Sequence, residues 1–428
     1  MKLTDREKRL LNGEKGKVPQ QAMALLVKYG EALGAEEMVP VQHIYASSAF
    51  CANTDLTLAT VKQCGGIKEY FSEFALCGDA GWEIPRMEHF ATCLANNIDL
   101  DMWEEQEASR EIYEMGLLAD EFERGIDHLS APSCAPYLQG ISPIFAEHIA
   151  SMESSAVSFF NSVIGARTNT EGIESATAAA YTGCIPKWGL HYTENRKGTH
   201  LVRVTVPVET IMDWGLLGFY FGHVVQEKIP VVDGISHRPS ADMLKHCGAA
   251  AASSGGVELY HVVGVTPEAQ DRNMAFQRGA PLEEFEFGER EKRWSYEMLN
   301  SGTSPYIDHV ILGCPHYSIE QVFQFLRCLG RRKIHSDVHL WLMVPYTVKM
   351  LVIRQGYDKL MREAGVHIIA GACPILGGVY RKSAQSIATD SAKQAKYFRD
   401  MTGKPVYFGS MEQCIESAVS GKWIGSFC

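Results

Sequence analysis

Two stretches of the sequence repeat one pattern, a short apolar run that stops at glycine and leads into a cysteine followed by proline. The runs cover 306–312 and 365–370, and they precede Cys314 and Cys373. Short runs rich in β-branched residues that stop at glycine predict buried strands. We therefore expect each cysteine just past the carboxyl end of a strand, which is the edge of an open α/β sheet where ligands bind.

A third cysteine, Cys134, has a proline two residues on, although no clear strand precedes it. Compact zinc sites usually take their ligands from close Cys-x-x-Cys pairs, whereas these three cysteines lie far apart in the chain. Three converging thiolates therefore favour an iron–sulfur cluster, because a cubane bound by three cysteines leaves one iron open as a Lewis acid. The alternative is that the cysteines pack as small buried hydrophobes, as free cysteines often do.

The composition is that of a globular protein in a reducing compartment. The 428 residues are 46% hydrophobic and 21% charged, with a formal net charge of -11. That charge argues against a nucleic-acid footprint, which needs a basic patch. The chain starts without an apolar signal-peptide core, and no later run has the length of a membrane helix. We expect a cytoplasmic location, with the 12 cysteines reduced or bound to metal.

Strand and helix patterns alternate along much of the chain, which predicts an α/β fold with mostly parallel sheets. We expect an N-terminal α/β part over 1–128, a central domain over 129–305 with a charged insertion near 266–305, and a C-terminal domain over 306–428. In the last of these, Ser318 and Gln321 form a capping box that predicts a helix over 319–329.

One helix is predicted over 143–163, with Ser142 as its N-cap. Apolar residues recur along this stretch in steps of three and four, at Phe145, Ile149, Met152, Ala156, Phe160 and Val163. Glu153 and Ser154 lie beside that stripe, where they can face a site instead of solvent.

An arginine flanked by two side-chain amides follows the predicted helix. Arg167 lies between Asn161 and Asn169, and a planar guanidinium suits a substrate carboxylate. The alternative is that Arg167 binds carbonyls at the end of the helix. Nucleotide binding is unsupported, because no glycine-rich dinucleotide fingerprint follows a strand and no P-loop is present.

Several strings of residues together resemble the large subunit of the aconitase X family, over nearly the whole chain. They are Cys134-Ala-Pro-Tyr-Leu-Gln-Gly140, Glu153-Ser-Ser-Ala156, Asn161-Ser-Val-Ile-Gly-Ala-Arg-Thr-Asn-Thr-Glu-Gly172, Gly313-Cys-Pro-His316 and Thr389-Asp-Ser-Ala-Lys393. The resemblance implies an aconitase-like core of three α/β/α domains and an iron–sulfur cluster bound by Cys134, Cys314 and Cys373. A [4Fe-4S] cluster with one open iron is favoured, and a [2Fe-2S] cluster is the alternative.

The resemblance also implies a partner. The small swivelling domain of the family is not recognisable in this sequence, so we expect it on a separate small subunit. In the family that domain supplies a serine thought to act as the base. The large subunit alone is therefore expected to be inactive.

Two dehydrations are known in the family. Bacterial members are similar to cis-3-hydroxy-L-proline dehydratases, which form Δ1-pyrroline-2-carboxylate, and archaeal members dehydrate mevalonate 5-phosphate. This sequence departs from the archaeal pattern in the loops at 46–49 and 78–81, and it has Asp390 where asparagine is usual. A carboxylate near a phosphate is unfavourable, so we expect the amino-acid substrate, with mevalonate 5-phosphate as the alternative.

The resemblance assigns roles to the remaining candidates. The open iron takes the departing hydroxyl, Arg167 with Asn161 and Asn169 holds the carboxylate, and Glu153 and Ser154 orient the substrate. Further substrate contacts are expected from Ser47, Ser48, Thr168 and Lys393, although Lys393 can equally lie on a solvated helix. A hypothesis of another class is a non-catalytic subunit that binds an iron–sulfur cluster or zinc for folding alone.

Overall fold

Parallel sheets covered by helices follow one another along the chain. The computed structural model describes residues 1–50, 54–79, 81–93, 98–375 and 380–427. Among the described strands one short pair is antiparallel and the other pairings are parallel. The predicted α/β fold with mostly parallel sheets is confirmed.

The first part of the chain forms a small parallel sheet with helices around it. Its strands are Met38–Pro40 (β1), Ile44–Ala46 (β2), Ala91–Cys93 (β3), His128–Leu129 (β4), Ala150–Ser151 (β5) and Cys184–Pro186 (β6). Its α-helices are Asp5–Leu11 (α1), Lys17–Ala32 (α2), Thr54–Cys64 (α3), Ile67–Leu76 (α4), Arg110–Gly125 (α5), Ser154–Phe159 (α6) and Ile173–Thr182 (α7). The sheet has the order β4-β3-β2-β5, and β1 pairs with β6 outside it.

The middle part alternates strands and helices. It contains His200–Val204 (β7), Ile211–Val225 (α8), Pro230–Asp233 (β8), Ala241–Gly255 (α9), His261–Val262 (β9), Arg272–Ala275 (α10), Glu283–Phe287 (β10) and Glu289–Leu299 (α11). The sheet order is β10-β7-β8-β9. Part of the segment predicted as a charged insertion therefore forms β10, an edge strand with alternating exposure, and α11.

The last part has the most regular α/β pattern. It contains His309–Leu312 (β11), Ile319–Leu329 (α12), His339–Val344 (β12), Tyr346–Arg354 (α13), Tyr357–Ala364 (α14), Val366–Ala370 (β13), Ile387–Thr389 (β14), Ala392–Thr402 (α15), Val406–Phe408 (β15) and Met411–Ser420 (α16). Its five-stranded sheet has the order β13-β12-β11-β14-β15. The predicted capping box of Ser318 and Gln321 begins α12, as expected.

The prediction of one helix over 143–163 is wrong in its first half. Ala150 and Ser151 form β5, which pairs in parallel with β2, and α6 begins only at Ser154. The side chain of Glu153 accepts a hydrogen bond from the backbone N–H of Ser155, so Glu153 is the N-cap. Apolar steps of three and four cannot distinguish a buried strand followed by a short helix from one longer helix.

The middle and last parts share one hydrophobic core. Val202 and Trp214 of the middle part are buried in the same cluster as Ile311 and Trp341 of the last part. The first part has its own core, in which α2 and α7 pack together. The loops that leave the middle and last sheets are therefore held by one packed body.

No α-helix in the described ranges is long and apolar enough to cross a membrane. The loop expected at 78–81 lies partly outside the described residues, because Ala80 is not among them.

A buried carboxyl group near α7 predicts a dependence of stability on pH. Glu171 is 3% exposed and accepts a hydrogen bond from the hydroxyl of Ser175 at 2.6 Å. Burial raises the pKa of Glu171 to about 7. The folded state therefore holds this proton more tightly than the unfolded state, so its stabilising contribution is present below about pH 4.5 and is lost as the pH rises to about 7.

Glu171→Gln is expected to remove that loss and to keep the bond from Ser175. The variant should be more stable than the wild type at pH 8 by up to roughly 3 kcal/mol, and the difference should vanish near pH 4. Urea unfolding at several pH values measures it, with Glu174→Gln on the exposed first turn of α7 as the control. An equal gain at pH 4 and pH 8 would contradict the assignment.

Candidate active site

The three predicted cysteines follow carboxyl ends of strands or lie close to them. Cys314 follows β11 and Cys373 follows β13, while Cys134 comes after β4 of the first sheet. Gly313 precedes Cys314 with φ +95°, and a Cβ there would lie 2.4 Å from the carbonyl oxygen of Met343. The glycine that ends the sequence run is thus required by the close approach of two backbones.

His316 ties the three cysteine loops together. Its Nδ1 lies 3.0 Å from the hydroxyl of Ser133, and its Nε2 lies 3.0 Å from the carbonyl oxygen of Ala372. Its backbone N–H donates to the sulfur of Cys134 at 3.4 Å. His316 is two residues after Cys314. Its contacts therefore join the loop of Cys314 to Ser133 and Cys134 in one loop and to Ala372, which precedes Cys373, in the other.

The partners of His316 fix its tautomer. A carbonyl oxygen can only accept, so Nε2 carries the proton and Nδ1 accepts from Ser133. Burial lowers the pKa of His316 to about 4, so the ring stays neutral at physiological pH. The sequence motif Gly313–His316 includes this histidine but indicates no role for it, because its partners are far away in the chain.

The three thiols share one buried environment. Burial raises the pKa of Cys314 to about 12, and the nearby Cys373 and Glu153 raise it further against the effect of Lys393. The pKa of Cys134 is likewise well above its usual value, because of burial and the charges of Glu153, Cys314 and Cys373. A cation bound among the sulfurs would reverse this tendency by stabilising the thiolates.

The three sulfurs do not form one of the compact ligand groups of the described residues. The groups of His, Cys, Asp and Glu whose ligand atoms all lie within 4.8 Å of one another do not include these three cysteines. Tetrahedral zinc with bonds of about 2.3 Å to sulfur holds its sulfurs about 3.8 Å apart.

A buried ion pair lies beside the thiols. The ammonium group of Lys393 is 2.7 Å from Oε1 of Glu153 and donates to the hydroxyl of Ser154 at 3.1 Å. Burial opposes the charge of Lys393, but Glu153 and Cys314 outweigh it and raise the pKa of Lys393. Burial also opposes the charge of Glu153, and Lys393 outweighs it and lowers the pKa of Glu153. The structure thus brings together three of the predicted residues next to the cysteines.

The residue that departs from the family pattern is also buried here. Asp390 is 4% exposed and accepts a hydrogen bond from the hydroxyl of Tyr317. Burial raises the pKa of Asp390 to about 6. Its neighbour Ser391 caps α15 by accepting from the backbone N–H of Gln394 at 3.1 Å.

The predicted loop at Ser47 and Ser48 is held by an acidic residue of α5. Glu123 is 1% exposed and accepts hydrogen bonds from the hydroxyl of Ser48 at 2.8 Å and from the backbone N–H of Ala49. Cys93 donates to its other oxygen at 3.2 Å. Because α5 is rich in acidic residues, its composition does not distinguish the buried Glu123 from the other carboxylates, and only its position along the helix does.

The predicted carboxylate clamp makes contacts of a different kind. Asn161 donates to the carbonyl oxygens of Thr168 and Glu258, and Asn169 donates to that of Trp188. Arg167 donates to the carbonyl oxygen of His191 at 3.1 Å. These contacts place the three residues in a network with backbone groups, and their contact with a substrate stays a prediction.

A buried arginine that no sequence pattern predicted also belongs to this network. Arg196, 2% exposed, donates to Oδ1 of Asn161 at 3.1 Å and pairs with Glu268 at 2.5 Å. The amide of Asn161 is thereby held on both its oxygen and its nitrogen.

Comparison with known families covers most of the chain. Residues 1–194 match the model of the aconitase X first domain, 198–297 match the second domain, and 307–420 match the third domain.

Relatives of the chain carry two names. The phosphomevalonate dehydratase large subunit of Methanocaldococcus jannaschii is 32% identical over 422 residues, which cover 97% of this chain and 100% of the relative. The cis-3-hydroxy-L-proline dehydratase of Pseudomonas aeruginosa is 31% identical over 435 residues, which cover 98% of this chain and 71% of the relative. A crystal structure of aconitase X from Thermococcus kodakaraensis in its holo-form has a TM-score of 0.80 at 30% identity and covers 98% of this chain and 100% of that one.

The contacts of His316 predict that its loss separates the cysteine loops. His316→Ala leaves the hydroxyl of Ser133 and the carbonyl group of Ala372 without this partner in a buried site. We expect a loss of roughly 2–4 kcal/mol in the free energy of unfolding. Denaturant unfolding measures it, with His335→Ala on a partly exposed side chain as the control. A loss no greater than that of His335→Ala would contradict the tethering role.

Proposed function

The chain belongs to the aconitase X family, and we propose that it is the large subunit of an iron–sulfur hydro-lyase that removes water from a small hydroxy acid. Relatives over nearly its full length are named dehydratases. The observation that carries the proposal is the meeting of three partly buried cysteines, held by His316, with the ion pair of Glu153 and Lys393.

Cys134, Cys314 and Cys373 are the residues that would hold the cluster. Three soft sulfur donors from distant parts of the chain fit an iron–sulfur centre. When bound, a [4Fe-4S] cluster with three protein ligands supplies an open iron that acts as a Lewis acid toward a substrate hydroxyl. A [2Fe-2S] centre is the alternative, and analysis of the bound iron and sulfide distinguishes the two clusters.

Lys393 supplies the positive charge for the substrate carboxylate. Its ammonium group is already shared between Glu153 and Ser154 and lies near Cys314. A substrate carboxylate entering beside it would meet a cation whose charge burial has not removed. Glu153 stays ionised beside that cation, and Ser154 is placed to orient the substrate.

The second predicted set of substrate contacts lies along the first part of the chain. We include Arg167, Thr168 and the two amides of Asn161 and Asn169 as carboxylate contacts, and the loop of Ser47 and Ser48 as its neighbour. The shared motif and the hydrogen bonds that hold these residues in place support this assignment.

The charge balance favours cis-3-hydroxy-L-proline as the substrate, with Δ1-pyrroline-2-carboxylate as the product. Both lysines that contact described residues of the site are paired, Lys393 with Glu153 and Lys245 with Asp242 at 2.8 Å. We assign the other cation of the proposed contacts, Arg167, to the substrate carboxylate. A phosphate monoester requires cations in excess of carboxylates, whereas a zwitterionic amino acid does not.

Mevalonate 5-phosphate is the second candidate. The observation that favours it is length, since the chain covers 100% of the phosphomevalonate dehydratase large subunit of M. jannaschii. In either case the name large subunit supports a small partner subunit. We propose that this partner completes the site and supplies the serine that takes the proton.

The proposal predicts activity for the two-subunit complex made without oxygen. Co-purified with its small subunit and reconstituted with iron and sulfide, the complex should be brown and should dehydrate cis-3-hydroxy-L-proline faster than mevalonate 5-phosphate. Product formation from both compounds is measured side by side. Faster turnover of mevalonate 5-phosphate would overturn the substrate assignment, and a colourless, iron-free complex would overturn the cluster.

Two substitutions separate the roles of the site residues. Cys314→Ser should lower the bound iron and abolish turnover, whereas Cys328→Ser, on α12 outside the site, should change neither. Lys393→Met should keep the iron and lower kcat/KM by about 10²–10³-fold, because it removes a cation that stabilises developing charge. Unchanged turnover of Lys393→Met with iron retained would exclude Lys393 from substrate binding.

A further inference from the structure

A second group of potential metal ligands lies at the opposite edge of the last sheet. His339 is the first residue of β12, and His367 is on the neighbouring β13. Cys314 and Cys373 follow the carboxyl ends of β11 and β13 in this sheet, whereas the histidines lie at the amino ends of β12 and β13. The four residues of β11 alone separate the two edges by about 10 Å. The histidine group is therefore distinct from the candidate active site.

A carboxylate from the first part of the chain completes this group. Glu105, in the turn before α5, has Oε1 at 3.3 Å from Nδ1 of His339 and Oε2 at 3.7 Å from Nδ1 of His367. One ligand atom from each of the three residues lies within 4.8 Å of the others. Ligands of a tetrahedral ion with bonds of 2.0–2.2 Å lie about 3.3–3.6 Å apart. The observed separations are close to those values.

The surrounding residues hold the carboxylate in place. The indole N–H of Trp341, which is fully buried, donates to Oε1 of Glu105 at 2.9 Å. Arg381 lies 3.8 Å from the same oxygen, but it pairs more closely with Glu107 at 3.0 Å. Oε2 of Glu105 therefore faces His367 while Oε1 is anchored.

The group is accessible to an ion from solvent. The side chains of His339 and His367 are 35% and 30% exposed, and that of Glu105 is 16% exposed. An ion can reach the three ligand atoms without opening the core, and water can fill the remaining coordination position.

A third histidine extends the row across the sheet. His309 of β11 is the register partner of His339, and its ring packs edge-on against Trp341 with 4.5 Å between the ring centroids. It is fully buried, and among the described residues neither of its ring nitrogens has a hydrogen-bond partner. Buried polar groups without partners are rare and call for an unseen water or ion. An imidazole with unused hydrogen-bonding capacity thus lies on the strand next to His339.

We propose that Glu105, His339 and His367 bind a first-row divalent cation, with zinc as the best fit, and that this ion fastens the turn before α5 to the last sheet. Two imidazoles and one carboxylate form a donor set that such cations prefer over magnesium or calcium. Since Glu105 and the histidines come from distant parts of the chain, the ion would act as a cross-link between them.

The test compares zinc binding by the reconstituted complex and by a double variant. The wild type should bind one zinc ion per chain in addition to its cluster iron, and zinc should raise its Tm by roughly 2–4 °C. His339→Ala/His367→Ala should lose both effects while keeping its iron. His237→Ala is the matched control, because His237 faces one carboxylate, Glu209 at 3.3 Å, outside any three-ligand group of the described residues.

Glu105→Gln tests the site without removing a ring. The amide can still accept from Trp341, but it is a weaker ligand, so zinc affinity should fall at least about tenfold. With Co²⁺ in place of zinc, the wild type should show visible d–d bands without a sulfur charge-transfer band. Equal zinc affinity in Glu105→Gln and the wild type, or cobalt bound through sulfur alone, would overturn the proposal.

Discussion

The hydrogen bonds of His316 are the constraint on which the candidate active site depends. Loops that leave parallel strands are brought to one edge by the fold, but the fold does not fix their relative positions. A neutral imidazole that donates to one loop and accepts from another fixes them without placing a charge among three thiols. The backbone N–H of the same residue then fixes the sulfur of Cys134.

Paired charges support this arrangement from two sides. Lys245, 1% exposed, donates to the carbonyl oxygen of His316 at 2.9 Å and pairs with Asp242. Lys393 pairs with Glu153 on the other side. Burying an ion pair is costly, and removing one partner costs more because it leaves an isolated charge. Each lysine therefore needs its carboxylate.

Short sequence patterns predicted the strands and helices of the last part of the chain well, because each pattern depends only on residues that are close in sequence. The apolar runs before Cys314 and Cys373 became β11 and β13, and the capping box at Ser318 began α12. The same kind of pattern failed over 143–163, because the apolar residues around β5 happen to follow the spacing expected of a helix. It could not find Glu123, Arg196 or the role of His316, because their partners come from distant parts of the chain.

The two edges of the last sheet explain why the residues there differ in kind. At the carboxyl ends the cysteine loops come close to neighbouring backbones, which favours glycine at positions such as Gly313. At the amino ends the strands enter the sheet, and their first residues can bind a neighbouring segment without disturbing the loops. His339 and His367 occupy that edge and contact Glu105 from the first part of the chain. A change at one edge can therefore alter how the parts of the chain are joined while the strands between keep the cysteine loops in place.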